Sequence, residues 1–360
     1  MIKIIGANLY SLRIPFVESF SHATQARAFS DSIVVRLITE DGVEGYGEGV
    51  PRPYVTGETV ETCLLAMKDK FWPAVARANY PQLTASGSPL KALTSIEESL
   101  AEINTAGIIA ENAARTAFEL ALIDCLLKHQ NLSLADFFPP KRDTVVYSGV
   151  ITLGAKEKMV ELANRFKAFG IMQIKVKVDG YDDRAKLLAI REAVGSEVSL
   201  RVDANCAFTL KQAVLILNDI AEVKIDCVEQ PLPRGNIHEL AKLRTETPIP
   251  IMADESLVTI SDAERLIAAE ACDFFNLRIS KNGGIYKTVL LAKMAEEAGI
   301  RFQLGAQVGE TAILSAAGRH VAAYLENPVF VEGSFGTMLL AACRPEIFHF
   351  ERPIGIPTAV

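Results

Sequence analysis

Apolar positions along the chain follow two rhythms. From Lys3 to Ile14 and from Ser32 to Thr39 they alternate with polar ones, the period of a strand with one buried face. The EDG at 40–42 reads as the turn into a third strand. Helical spacing follows at Glu58–Lys70, Ser95–Ile103 and Ile109–Lys128. The last is rich in Ala, Leu and Glu with few breakers, which predicts one long helix. Pro139 and Pro140 interrupt the pattern and mark a boundary. Beyond it, short and nearly continuous apolar runs occur at 145–152, 172–178, 198–203, 225–229, 249–253, 273–279, 301–304 and 328–332. Helical stretches such as Ala155–Phe169, Tyr181–Val194 and Leu210–Ile220 fit between them. Strands apolar on both faces, each followed by a helix, describe a parallel sheet, and eight of them predict closure into a barrel. The expected fold is α/β: an α+β domain over 1–130 and a barrel over 143–333. The tail, 334–360, shows no clear element and is expected to pack back on the first domain.

Charged residues punctuate the second half at a nearly constant interval. Lys175 and Lys177 sit in IMQIKVKV, Asp203 in LRVDAN, Glu229 in DCVEQP, Asp254 in IPIMADES and Lys281 in NLRISKNGG. The steps from 177 to 203 and from 203 to 229 are 26 residues, then 25 to 254 and 27 to 281. Each residue ends an apolar run, so each is expected at a strand end facing one barrel mouth. A single acid there would serve as a helix cap or a solvated loop residue. Three in register, flanked by lysines, point to a metal site, because a hard divalent cation takes oxygen ligands and keeps positions for substrate. Lys175 and Lys177, two apart on a strand, share a face, while Ile174, Val176 and Val178 form the face that packs on helices. A lysine beside a second cation is expected to have a lowered pKa and to act as a base. These parts suit removal of the proton α to a metal-bound carboxylate, with the metal stabilising the enediolate and a second lysine, Lys281, on the far side.

Composition narrows the alternatives. The chain has 360 residues, is 49% hydrophobic and 22% charged, and carries a net charge of −7. No basic clusters of the kind that bind nucleic acid are present, and the apolar runs are too short and too broken to span a membrane. The start, MIKIIGANLYSLRIPF, alternates like a strand and does not resemble a secretion signal, so a cytoplasmic location is expected. The six cysteines form no CxxC pair and stand in apolar contexts, as free thiols do. GYGEG at 45–49 lacks the GxGxxG order, and no helix follows at once, which argues against a nucleotide loop.

The set KxK, DxN, EQP, DES and KNGG resembles the enolase superfamily in its muconate-lactonizing-enzyme subgroup, over essentially the whole chain. The resemblance implies a modified (β/α)7β barrel with a cap built from the N-terminal part and the C-terminal tail. It implies that Lys177 is the catalytic lysine, Lys175 its electrostatic partner and Lys281 the opposing acid/base. Asp203, Glu229 and Asp254 match the metal ligands, with Asn205 and Glu255 in support. Mg²⁺ is the implied cofactor, Mn²⁺ the alternative, and a homo-oligomer the implied assembly. A racemase, epimerase or cycloisomerase acting on a small carboxylate is the leading expectation. A syn-dehydratase of the o-succinylbenzoate-synthase kind, or a barrel that binds without turnover, are the alternatives. GYGEGVPRPYVTGET (45–59) resembles the cap loop of dipeptide epimerases, and PFVESFSHAT (15–24) falls where that family has its other specificity loop. Candidate substrate contacts are therefore His22, Arg52 and Tyr54, with Glu310 from the loop after the seventh strand. Dipeptide epimerases carry a DxD motif after the last strand that grips the substrate's ammonium group. Here the region reads EGSFGTMLLAACRP, which favours an uncharged, N-acylated or N-methylated substrate, or a lactone-forming diacid.

Overall fold

The computed structural model describes residues 1–22, 25–83, 88–101, 110–333, 339–341 and 346–351, without the side chains of 18–27, 101 and 346–351. Strands β1 (Ile2–His22), β2 (Gln25–Thr39) and β3 (Glu44–Gly49) form an antiparallel sheet, and the short β4 (Asn79–Tyr80) adds to β1. Helices α1 (Val60–Ala66), α2 (Trp72–Arg77), α3 (Pro89–Ala92), α4 (Thr94–Ala101), α5 (Asn112–Lys128) and α6 (Leu134–Phe137) complete this part. The cross-strand pairs Leu37↔Gly45, Val35↔Gly47 and Ile33↔Gly49 place one row of glycines on the sheet face that meets α5. A Cβ at Gly45, Gly47 or Gly49 would run into the backbone of Ala121, Ala117 or Ala113. The glycines of GYGEG therefore let the helix lie directly on the sheet. Helix α5 is buried along almost its whole length, which explains its lack of a polar side.

The second part alternates strand and helix. The order is β5 (Gly149–Ile151), α7 (Lys156–Ala168), β6 (Gln173–Lys177), α8 (Asp183–Val194), β7 (Ser199–Asp203), α9 (Leu210–Asp219), β8 (Val228–Glu229) and α10 (Ile237–Glu246). Then come β9 (Ile251–Ala253), α11 (Ile260–Ala268), β10 (Phe274–Leu277), α12 (Ile279–Asn282), α13 (Ile285–Glu297), β11 (Arg301–Leu304), α14 (Ala312–Tyr324) and β12 (Pro328–Val331). The eight strands pair in parallel in sequence order. The Ser148 N–H, just before β5, donates to the Val331 carbonyl of β12 at 2.9 Å, so the two edges of the sheet meet. Every strand predicted from the apolar runs is present. In the tail, β13 (Glu346–Glu351), which the pattern did not show, pairs with β1 from Gly6↔Glu351 to Ser11↔Glu346.

The period of two along each strand sorts the barrel interior into layers. Cys227, Met252, Phe274 and Phe330 form a separate apolar cluster inside the barrel. Two residues further along the same strands stand Glu229, Asp254, Asn276 and Glu332. On β6 and β7 the corresponding pairs are Lys175 with Lys177 and Arg201 with Asp203, all buried. The lower layer is thus apolar on β8, β9, β10 and β12 but carries Lys175 and Arg201 on β6 and β7, and the layer above it is polar and charged. The two parts are joined by buried acids of the first. The Glu48 carboxylate on β3 accepts hydrogen bonds from the Thr311 and Leu314 N–H groups at 2.8 and 2.9 Å, capping α14.

Candidate active site

Asp203, Glu229 and Asp254 lie at the ends of three adjacent strands, and all three are fully buried. Burying a carboxylate costs several kcal/mol unless cations and donors surround it, and here both do. The Lys175 ammonium lies 3.2 Å from Asp203 Oδ2 and 3.2 Å from Glu229 Oε2, and 2.8 Å from Glu332 Oε1. The Lys177 ammonium donates to Asp203 Oδ2 and to Asn205 Oδ1, both at 2.6 Å. The Arg278 guanidinium bridges Glu229 Oε1, at 3.1 Å, and the Asp254 carboxylate. On the other side of Asp254, the Lys281 ammonium donates to Oδ1 at 2.8 Å, to the Asp254 carbonyl at 2.9 Å and to the Asn276 carbonyl at 2.6 Å.

The local sequence explains the placement. Lys175 and Lys177 project inward from β6 as the alternation predicts, while Ile174 and Val176 bury outward. Asn205 takes a positive φ of 43°, which turns its N–H onto Asp203 Oδ1 at 3.0 Å. The Gln230 side-chain carbonyl of EQP accepts from the N–H groups of Asp254 and Ser256, both at 3.0 Å, and so shapes the DES loop. Asn205 Nδ2 in turn holds Glu255 Oε1 at 3.2 Å. Lys281 departs from expectation: it lies on α12, one turn past β10, and not on a strand.

Charge states follow from these contacts. Burial opposes the Lys175 charge, but Glu229, Glu332 and Asp203 overcome it and hold the ammonium protonated well above the usual lysine range. The lowering expected for a lysine beside a second cation therefore does not occur at Lys175. It occurs at Lys281, where burial, aided by Arg278, outweighs the attraction of Asp254. Burial works against the Asp254 charge too, yet Arg278 and Lys281 keep its carboxyl below the usual range. Burial, with Asp254 and Asp203 close by, pushes Glu255 up to about 8. Glu332 is held well below the usual range despite burial, by Lys175 and Arg201.

A cavity of about 60 Å³ opens onto these groups. Lys175, Lys177, Asn205, Glu255, Arg278 and Glu332 line it from the barrel, and Tyr54 closes it from the first part. Val150, Ala306, Gln307 and Val308 complete the wall. Tyr54 thus stands at the mouth. Arg52 does not: it is 1% exposed, and its guanidinium donates to the carbonyls of Asp31, Pro51 and Val308 and to Ser30 Oγ. It braces the loop carrying Tyr54 against the Val308 turn. Glu310 is buried and accepts from the Gln307 N–H at 2.5 Å, and burial pushes its carboxyl up to about 8. It shapes the turn that bears Gln307. The His22 side chain lies outside the described residues. Arg278, Asn276, Gln303 and Glu332 were missed by the sequence reading. The signal was there for three of them: Asn276 and Glu332 follow inward-facing Phe274 and Phe330 by two, and Gln303 interrupts an apolar run.

Among the described residues, no three Asp, Glu, His or Cys side chains already converge at metal-ligating distance. Side-chain cations stand between the carboxylates instead. The donor set nonetheless suits a hard divalent ion. Three buried carboxylates supply oxygen ligands. Three further buried acceptors at the same mouth, Glu255 Oε2, Asn276 Oδ1 and Gln303 Oε1, find no hydrogen-bond donor among the described residues. Unpartnered buried acceptors are costly and call for a cation.

The structure is a capped eight-stranded α/β barrel with lysines and carboxylates gathered at one mouth, groups suited to acid–base chemistry. Comparison with known proteins gives the family. Residues 4–138 match the mandelate racemase/muconate lactonizing enzyme N-terminal domain, and residues 158–354 match the enolase C-terminal domain-like family. The chain is 30% identical to the N-succinyl-L-Arg/Lys racemase of Bacillus cereus over 324 residues, 89% of this chain and 84% of that protein. It is 31% identical to the D-Ala-D/L-Ala epimerase of Cytophaga hutchinsonii over 346 residues, 95% of this chain and 89% of that one. The crystal structure of a dipeptide epimerase from Enterococcus faecalis V583, complexed with Mg and the dipeptide L-Leu-L-Tyr, superposes with a TM-score of 0.83 at 30% identity, covering 94% and 92% of the two chains. The chain belongs to the enolase superfamily, in its muconate-lactonizing-enzyme subgroup, and it is an isomerase. No helix among the described residues is long and apolar enough to cross a membrane.

Proposed function

We propose that this enzyme racemises or epimerises an N-acylated α-amino acid, with Lys177 and Lys281 serving opposite faces of the α-carbon. The observation that carries the reading is the pair of ammonium groups at the two ends of one carboxylate cluster, Lys177 on Asp203 and Lys281 on Asp254. Lys177 lines the cavity and, once deprotonated, takes the α-proton from one side. Lys281 returns a proton from the other. Lys175, held protonated, keeps positive charge beside the site without competing for the proton. Asp203, Glu229 and Asp254 would hold Mg²⁺, with Asn205 and Glu255 in support and Arg278 withdrawing from between Glu229 and Asp254. When bound, that ion supplies Lewis-acid stabilisation of negative charge developing on the substrate carboxylate.

The substrate class follows from Glu332. Its Oε1 is 2.8 Å from Lys175 and 2.6 Å from Arg201, and its Oε2 is 3.0 Å from Lys175. Both oxygens are committed to the protein's own cations, so this acid has no charge left for a substrate ammonium group. An amide at the α-nitrogen suits such a wall. It is shared by the N-succinyl amino acids and dipeptides named for the relatives. The test is to incubate the enzyme with N-acyl-L-amino acids in D₂O, with L,L-dipeptides as the ammonium-bearing comparison expected to react more slowly. α-Deuteration and chirality are followed by NMR and chiral chromatography. The reading expects interconversion with deuterium gain, lost in EDTA and restored by Mg²⁺. A product lacking the elements of water would replace it with the dehydratase.

A further inference from the structure

We infer that helix α5 of the cap is a positioning device for Lys281, acting through Asn112, Thr116 and Glu119. The inference rests on the two-lysine reading above and concerns what aims one of the two.

Lys281 rides on α12, four residues long and too short to be stable alone. What holds this segment is the facing helix. Asn112, Thr116 and Glu119 are spaced by four and three, so they form one stripe on α5. Asn112 Nδ2 donates to the Lys281 carbonyl at 2.6 Å and to the Val258 carbonyl at 3.0 Å. Thr116 Oγ1 lies 3.2 Å from the Ile279 carbonyl. The Glu119 carboxylate accepts from the N–H groups of Ile285 and Tyr286 at 2.5 and 3.0 Å, at the first turn of α13. That turn begins directly after Gly283 and Gly284. From a second direction, the Val50 N–H at the end of β3 donates to Ser280 Oγ at 2.8 Å.

The paired glycines fit the same account. Their φ values are +86° and +115°. A Cβ on Gly283 would lie 2.8 Å from Asn112 Oδ1, and one on Gly284 would overlap the Glu119 carboxylate. The glycines admit the polar stripe of α5, and the stripe fixes the backbone that carries Lys281. Lys177 differs. It stands on a strand of the closed sheet, and its hydrogen bonds are to Asp203 and Asn205 of the barrel.

The prediction is selective. Exchange of the α-proton in D₂O is measured from each enantiomer separately, in the Mg²⁺-loaded enzyme with a turned-over N-acyl amino acid. The K177A and K281A variants assign which enantiomer each lysine serves. E119Q and N112A should slow exchange of the enantiomer served by Lys281 about tenfold more than that of the other, because small misplacements of an acid/base cost rate steeply. T116V, which removes one hydroxyl, should shift the same ratio in the same direction, and it serves as the readout if either larger change prevents folding. A purely structural role for α5 would lower both rates alike, and an unchanged ratio in all three variants overturns the inference. If K281A itself leaves both enantiomers exchanging normally, the two-lysine reading fails, and that outcome is distinct from a face-selective K281A beside an unselective E119Q.

Discussion

Lys177 and Lys281 are held in different ways. Lys177 belongs to a strand whose neighbours are hydrogen-bonded on both sides, with Lys177 opposite Asp203 in the ladder. Its place is set by the barrel alone. Lys281 sits on a single helical turn, and the backbone of that turn is gripped by residues more than 160 positions earlier in the chain. A strand-borne group inherits the rigidity of the sheet; a turn-borne group needs outside support. The lesson is that the first part of the chain shares in building the proposed site from behind as well as covering it from above through Tyr54.

The largest effect should come from the lysines themselves. K177A and K281A should each lower interconversion of enantiomers by about 10³-fold, the span of a lost general acid or base, read from progress curves by polarimetry. Next comes the junction. G284A places a methyl group into the Glu119 carboxylate on a strained backbone and should cost on the order of 4 kcal/mol in chemical denaturation; the corresponding backbone of β6 has no such point of failure. Third is the pH dependence of that junction. Burial pushes the Glu119 carboxyl up from the ordinary 4.5 to about 7. A raised carboxyl favours folding while it is protonated, so its contribution is full below 4.5 and is lost as pH rises through about 7. Denaturation midpoints from pH 4.5 to 8 should show wild type losing about 3 kcal/mol at most from this group, and E119Q, which cannot ionise, should show a flatter profile. The smallest effect concerns Arg278, the cation between Glu229 and Asp254. R278Q removes the guanidinium that bridges Glu229 and Asp254, so Mg²⁺ should bind about tenfold more tightly by calorimetry, a gain of about 1.4 kcal/mol. Unchanged or weaker binding would show that Arg278 does not compete with the metal.

Much of this was legible in the chain because strand alternation is local. The two-residue step on β6 to β9 carries each side chain into the same mouth, and a 26-residue unit repeats it, so Lys175, Lys177, Asp203, Glu229 and Asp254 could be placed from their spacing. Arg278 was passed over because it precedes a lysine motif that drew the reading; one position decides whether a cation faces the mouth or the helices. The grip of α5 on Lys281 joins segments that no periodicity links, although polar Asn112, Thr116 and Glu119 in an Ala- and Leu-rich helix were a visible anomaly. Arg52 was read as a substrate contact from its loop and turned out to be committed to backbone carbonyls. Strand β13 escaped notice because its partner β1 is some 340 residues away in sequence.

In the proposed mechanism two lysines address opposite faces of one bound carbon. Its most direct measurement is α-deuterium incorporation into each separate enantiomer by K177A and by K281A in D₂O. Complementary results are expected: each variant loses exchange with one enantiomer and keeps it with the other. Loss of both enantiomers in one variant, with full activity toward both in the other, would mean that a single lysine does the chemistry.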